Sequence, residues 1–412
     1  MPSSHSSFVA PQVSGWSRPG RAPRIGIFTG EGSSHSWLWF VETFERMGLT
    51  DLRFFDVSEI AAGRLQQNDI LAVSGGDTIA IASALGLAGA REMHRFIENG
   101  GLYIGSCAGA YLVMHSSKPH LNLFNFAGVK ITNLSKKLPQ CRRLSHKFAM
   151  AYGCDYVFHP VRGPVRLSAS VGLASPGRQT LEAPLYGGPG MIASPETEVL
   201  ARYLDFTDKT VFLVDEDIAR ETLLDRAAAV RARMGNGTLV LFGPHFEHPH
   251  FTAANRFVGD VISEEWDAAR VGRLDSSQRG YDRGTASVAP WIKDLKRELS
   301  NSRIVALGLE MTPVRWLIGN KVYEPEKIRV FLEAMWKRVA VLEKRGAVGT
   351  DTDAVERLVA GAGKITARLR SIKQRLDDGE DTRREAARMF SLLNRCTTDF
   401  LDMYYQSICE PG

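Results

Sequence analysis

LYIGSCAGA, residues 102–110, is the stretch on which the fold turns. Its first half is a short apolar run of strand type, and Gly105-Ser106-Cys107-Ala108-Gly109 then bends into the start of a helix. A residue on so sharp a strand-to-helix turn is pushed out above the sheet. It needs small neighbours to avoid clashes, and Gly105 and Gly109 supply them. The helix start adds unpaired N–H groups that favour a thiolate, and the Ala108 N–H is placed to donate to a developing oxyanion. Cys107 is the candidate nucleophile, although the pentapeptide alone also fits a buried structural cysteine.

Upstream, RIGIFTG (24–30), LRFFDV (52–57) and DILAVSGGD (69–77) read as strands, while WLWFVETFERMG (37–48), TIAIASALG (78–86) and REMHRFIENG (91–100) read as helices. Continuous apolar strands alternating with helices predict an α/β fold, with a doubly wound, mostly parallel sheet covered on both faces. Downstream, FAGVKITN (126–133) is a strand, 152–185 holds short strands broken by Gly and Pro, and YGGPGMI (186–192) is a loop leading into the strand EVLARYLDF (198–206). Residues 216–235 carry helical character. GNGTLVLFGPHFEHP (235–249) is a strand with a polar end, and TAANRFVGDVI (252–262) closes the domain as a helix.

Two of these strand ends complement Cys107. Ser74-Gly75-Gly76-Asp77 ends the preceding strand, where two glycines let the backbone turn an N–H toward a substrate carbonyl. His245 and Glu247 in Gly243-Pro-His-Phe-Glu lie two apart in an extended segment and so share a side. Glu247 can orient the His245 imidazole, which takes the thiol proton and returns it to a leaving group. Distance along the chain is no obstacle, because strand ends meet at one edge of a doubly wound sheet. HFEHPH (245–250) could instead be read as a metal cluster, but Pro249 splays its side chains and no second ligand pair accompanies it, so no metal or cofactor is expected.

The 412 residues exceed one average domain. Residues 1–23, rich in Ser, Pro and Gly, read as a disordered leader, 263–286 as a linker, and 287–412 as an all-α appendage. Within the appendage, apolar stripes at helical spacing run through 328–342, 365–376 and 389–400, and Pro325 suits a first helical turn. The stripes imply a helical module for self-association or for binding a protein partner. A net charge of +5, with basic and acidic residues interleaved, argues against a nucleic-acid binder. Lys136, Lys137, Arg142, Arg143 and Lys147 form a basic stretch, read as a solvated loop or as a rim attracting anions. Five scattered cysteines (107, 141, 154, 396, 409) give no disulfide or zinc pattern. With neither a signal peptide nor a run long enough to span a bilayer, the expected location is cytoplasmic, without a membrane partner.

SGGDT, GSCAGAYL, YGGPGMI followed by EVLARY, and GNGTLVLFGPHFEHP together resemble the N-terminal domain of biotin–protein ligases, which belongs to the class I glutamine-amidotransferase-like superfamily. The resemblance spans about residues 24–262 and implies a flavodoxin-like sheet. It also implies Cys107, His245 and Glu247 as a triad, Gly76 and Ala108 as oxyanion donors beside Gly75, and Tyr186, Gly187, Gly188 and Pro189 as a loop near the pocket. Tyr111 stands four residues after the nucleophile, where glutamine-using relatives carry Gln or Met. No ligase catalytic segment is recognisable after residue 262. The expected activity is cleavage of a C–N bond in a small molecule or peptide amide through a thioester. The alternatives are a non-catalytic regulatory or scaffold protein that retains the pocket, and a cysteine peptidase related to serine dipeptidases with a similar elbow.

Overall fold

Ile25, Ile27, Ile70, Ala72, Leu102, Ile104, Val240 and Phe242 face one hydrophobic layer, while Phe28, Leu71, Val73, Tyr103, Leu239 and Leu241 face another. This period of two along strands buried at every position is what a sheet covered on both sides requires. The computed structural model describes residues 22–138, 157–170, 178–270, 290–319, 321–345 and 352–409. Its strands are β1 (Ile25–Phe28), β2 (Leu52–Phe55), β3 (Ile70–Val73), β4 (Leu102–Ser106), β5 (Val129–Ile131), β6 (Val161–Ser170), β7 (Arg178–Leu185), β8 (Met191–Ala193), β9 (Glu198–Phe206), β10 (Val211–Phe212), β11 (Ala227–Met234), β12 (Gly237–Phe242), β13 (Trp316–Ile318) and β14 (Lys321–Tyr323). The helices are α1 (Trp37–Arg46), α2 (Val57–Ala61), α3 (Thr78–Glu98), α4 (Ala108–Val113), α5 (Glu216–Leu223), α6 (Thr252–Arg270), α7 (Pro290–Glu310), α8 (Glu326–Arg345), α9 (Thr352–Asp377) and α10 (Arg383–Cys409).

The centre of the sheet runs β2-β1-β3-β4-β12, all parallel. Beyond β12 it continues antiparallel through β11, β9 and β6, with β7, β8, β5 and β10 added at that flank. The parallel expectation therefore holds for the centre and not for the flank. There β6 and β7 are long hairpin partners, with Pro164 and Pro184 facing each other, rather than short broken strands. Residues 216–235 divide into α5 and β11, since the alternating Ala-Val-Arg-Ala run after Asp225 has the period of a strand. The two helices expected at 78–86 and 91–100 are the two halves of α3, which meet at a non-helical Gly86 with φ of 53°; the second starts directly after that kink rather than at 91.

Helices α3 and α4 cover one face of the sheet, and α1 and α6 cover the other. Four long helices, α7–α10, close on one another as a bundle beside α1. The three apolar stripes lie on α8, α9 and α10, and α7, with Ile292, Leu295 and Leu299 buried, is a fourth that the spacing did not reveal. Two departures from the expected appendage matter. It is not all-α, because β13 and β14 form a hairpin between α7 and α8. Nor is its core separate: Trp37 and Phe331 pack with ring centroids 6.4 Å apart, and Phe54 and Tyr405 at 6.2 Å. Polar ties cross the same seam. Arg338 Nη2 lies 2.6 Å from Glu45 Oε2, Trp37 Nε1 donates to Asn394 Oδ1 at 2.8 Å, and Asn394 Nδ2 donates to the Thr29 carbonyl at 2.6 Å. Helix α6 runs eight residues past the expected boundary at 262, to Arg270; the remainder of the expected linker up to residue 286, like residues 1–21 of the expected leader, lies outside the described residues. Among the described residues, no helix is long and apolar enough to cross a membrane.

Candidate active site

Strand register builds the site. Val73 pairs with Gly105 across β3 and β4, so the Ser74–Asp77 turn leaves the sheet beside the Cys107 turn. Phe242 pairs with Ser106 across β12 and β4, and the Cys107 N–H donates to the Phe242 carbonyl at 2.9 Å, which brings the His245 segment to the other side. Cys107 has φ of 52°, unusual for a residue with a Cβ, and starts α4. The turn tolerates nothing larger around it. A Cβ on Gly109 would lie 2.0 Å from the Val73 carbonyl oxygen, and one on Gly105 would lie 2.6 Å from that of Gly109.

His245 and Glu247 are both buried, and His245 Nδ1 donates to Glu247 Oε1 at 2.7 Å. With Nδ1 engaged, Nε2 is the ring nitrogen left to serve Cys107, which lines the same cavity. Burial pushes the imidazole toward its neutral form, but Glu247 and Cys107 outweigh it and raise His245 to about 9. The carboxylate is satisfied from three directions, since Ser74 Oγ donates to Oε1 at 2.9 Å and Ser106 Oγ to Oε2 at 2.8 Å. Ser74 Oγ also lies 3.0 Å from Ser36 Oγ, which sits 2.9 Å from Ser34 Oγ. The supporting loop is held as well: Asn255 Nδ2 donates to the Phe246 carbonyl at 2.7 Å, and the His245 N–H donates to the Pro184 carbonyl at 2.9 Å.

A cavity of about 320 Å³ opens over Cys107. Gly76, Ala108, Tyr111, Tyr186, Gly187 and His245 all line it. Gly75 and Gly188 do not, and their role is close packing. A Cβ on Gly75 would come within 2.8 Å of the His245 ring, and one on Gly188 within 1.7 Å of the Gly243 carbonyl oxygen. Tyr111 is fixed by Asn133, whose Nδ2 donates to its hydroxyl at 2.7 Å. Trp39 meets His245 edge-on at 4.9 Å and also covers His248 at 4.4 Å. His248, desolvated and facing His245 and His250, is lowered to about 3. Among the described residues no group of three His, Cys, Asp or Glu side chains is arranged to hold a metal ion.

The sequence reading missed the wall opposite. Lys321 of β14 and Lys327 at the start of α8 line the cavity, together with Arg162, His35 and His159. A Gly-Asn pair between WLI and KVY was the available signal for a hairpin. Nothing in it told that the hairpin would reach Cys107. Burial, opposed by Cys107 and Asp77, lowers Lys321 to about 8. Burial and Lys321 lower Lys327 to about 7 and His159 to about 4. Of the basic stretch, Lys136 is exposed, while Arg142, Arg143 and Lys147 lie outside the described residues, as do Cys141 and Cys154.

The fold and site thus define an α/β protein with a largely parallel central sheet, C-terminal helices and a cysteine at a strand-end turn. Residues 24–121 match the family described as biotin-protein ligase, N terminal, a span that runs from β1 through α4 and includes Cys107 but not His245. A search of curated proteins finds no match. Among solved structures, a beta-galactosidase from Bacillus circulans sp. alkalophilus aligns at 11% identity and a TM-score of 0.34 over 59% of this chain and 31% of its own. An exo-beta-1,4-mannosidase from Opitutaceae bacterium strain TAV5 aligns at 9% and 0.28 over 61% and 35%. A cytoplasmic protein from Salmonella typhimurium LT2 aligns at 12% and 0.34 over 60% and 98%. The chain spans about a third of the length of these two glycosidases.

Proposed function

We propose that the protein is a cysteine amidohydrolase or amidotransferase-like enzyme that cleaves a C–N bond of a small amide through a thioester on Cys107. The observation that carries the reading is the strained Cys107 at the end of β4, sharing its cavity with a buried His245 that Glu247 holds at 2.7 Å. In the reaction the proton shared by the pair is already on His245, sulfur attacks the amide carbon, and that proton passes to the departing nitrogen. Water then attacks the thioester with His245 as base, releasing the acid and restoring the pair. The Gly76 and Ala108 N–H groups, both at the cavity wall, serve the oxyanion. A flavodoxin-like, class I glutamine-amidotransferase-like fold is part of the proposal, supported by the parallel order β2-β1-β3-β4-β12, in which the fifth parallel strand follows the fourth as that fold demands.

The test has two parts. Iodoacetamide at neutral pH should label Cys107 far faster than Cys141 or Cys154, as read by peptide mass spectrometry. Ammonia release from L-glutamine and a panel of other primary amides should locate a substrate, and Cys107→Ala should abolish that turnover with an unchanged melting temperature. Turnover retained in Cys107→Ala overturns the reading.

A further inference from the structure

Most of the cavity is built by the parallel strand ends, but one wall comes from the C-terminal region. The hairpin β13–β14 leans on the Ser74–Asp77 turn: a Cβ on Gly319 would lie 3.1 Å from Asp77 Oδ2. This contact sets Lys321 at the cavity, and Lys327 follows four residues after β14 ends. With Arg162 from β6, three cationic side chains face the space against a single carboxylate, Asp77, among the described lining residues.

That carboxylate is already engaged. Asp77 Oδ1 accepts from the Ile79 and Ala80 N–H groups at 3.1 Å each, capping α3. Lys327 Nζ donates to the Val322 carbonyl at 2.5 Å and lies 4.0 Å from Glu324, while Arg162 sits 3.9 Å from Glu324 and 5.7 Å above the Tyr186 ring. Among the described residues Lys321 has no carboxylate at ion-pair distance. His35, 8% exposed, also lines the cavity, and its Nδ1 has no hydrogen-bond partner among the described residues. Leaving the desolvated Lys321 and a bare imidazole nitrogen of His35 without partners is costly, and one compact anion would satisfy both.

We infer that the β13–β14 hairpin is the specificity element of the site, and that Lys321, with Lys327, Arg162 and His35, holds a carboxylate or phosphate group of the substrate across the cavity from Cys107. The lowered Lys321 and Lys327 agree with cations gathered in a desolvated space. A volume of about 320 Å³ limits the ligand to a small molecule or the end of a peptide. The inference rests on the reading of Cys107 as nucleophile for the amide, but not for the anion.

Two measurements on the full chain separate these. Alkylation of Cys107 by iodoacetate is compared with alkylation by iodoacetamide, reagents of similar size that differ in charge. Lys321→Gln should lower the ratio of the two rates about tenfold, the effect of one near charge in a poorly solvated site, and Lys321→Arg should restore much of it. An unchanged ratio in Lys321→Gln overturns the inference. The second measurement does not need a reactive thiol. Thermal shifts with succinate and with inorganic phosphate should show stabilisation by one of them, and which one names the anion. Lys321→Gln should lose that stabilisation. No shift with either anion, or an equal shift in the variant, overturns the inference whatever Cys107 does. An inert Cys107 in a chain that still binds the anion overturns the proposed function alone.

Discussion

His245 is the residue whose behaviour depends most on its neighbours. Buried alone it would lose its proton, yet Glu247 and Cys107 keep it charged up to about 9. Glu247→Gln removes the carboxylate while keeping a group able to accept from Nδ1. The His245 titration followed by NMR should then move to lower pH, and the rate should fall less than in His245→Ala, which is expected to cost about 10²–10⁴-fold. If Glu247→Gln is the more damaging change, the roles are misassigned. Stability carries the same signature. In the unfolded chain this imidazole titrates near its ordinary value of about 6.5, so between there and about 9 the folded state binds more protons. Its contribution is therefore whole below pH ~6.5 and is lost as pH rises through about 9. Urea midpoints of the wild type should decline across that window more than those of His245→Gln. Parallel curves for the two proteins would show that His245 is not the linked group.

At the scale of elements, the strand-to-helix turn at Cys107 was legible because its requirement is steric and local: only small residues fit around it. The same clearance gives a test. Gly109→Ala places a Cβ 2.0 Å from the Val73 carbonyl oxygen, so backbone must shift and stability should drop by about 1–3 kcal/mol in urea unfolding. Gly363, within α9, would meet nothing within 4 Å, and Gly363→Ala should gain about 0.5–1 kcal/mol through helix propensity. Similar losses for both would mean that crowding at the turn is not what selects Gly109. The strand ends bearing Gly76 and His245 were readable for a related reason, since parallel strands place their C-terminal ends together whatever their separation in sequence. The serine cluster under Glu247 was not. Ser34 and Ser36 in GEGSSHSW have no period and no spacing rule; the pairing of Ser33 with Gly76 and the hydrogen bonds from both serines to the Gly75 carbonyl bring them beneath the site. The long antiparallel flank also escaped, because Pro and Gly within β6 and β7 look like breaks until the partner strand is known.

At the scale of the whole chain, the sequence reading set the helices apart, while the structure joins them to the sheet. Amphipathic stripes announce that a face must be buried, but they do not name the surface that buries it. Here α8 and α10 lie against α1 and β2, so Trp37 and Phe54 take their cover from Phe331 and Tyr405, and Glu45 takes its counter-charge from Arg338. A chain ending after Arg270 would lose that cover together with Lys321 and Lys327. Large aromatic surface would meet water at roughly 25 cal/mol for each Å² exposed, and the Trp37 N–H and the Thr29 carbonyl would lose Asn394. The shortened chain is therefore expected to aggregate or melt well below the full-length protein in size-exclusion and thermal-unfolding measurements. Adding the helical segment back as a separate polypeptide should restore solubility if the two halves meet through this seam. A shortened chain that stays monodisperse, melts cooperatively near the full-length temperature and keeps its iodoacetate preference would show instead that the sheet carries its own stability and that the hairpin plays no part in the site.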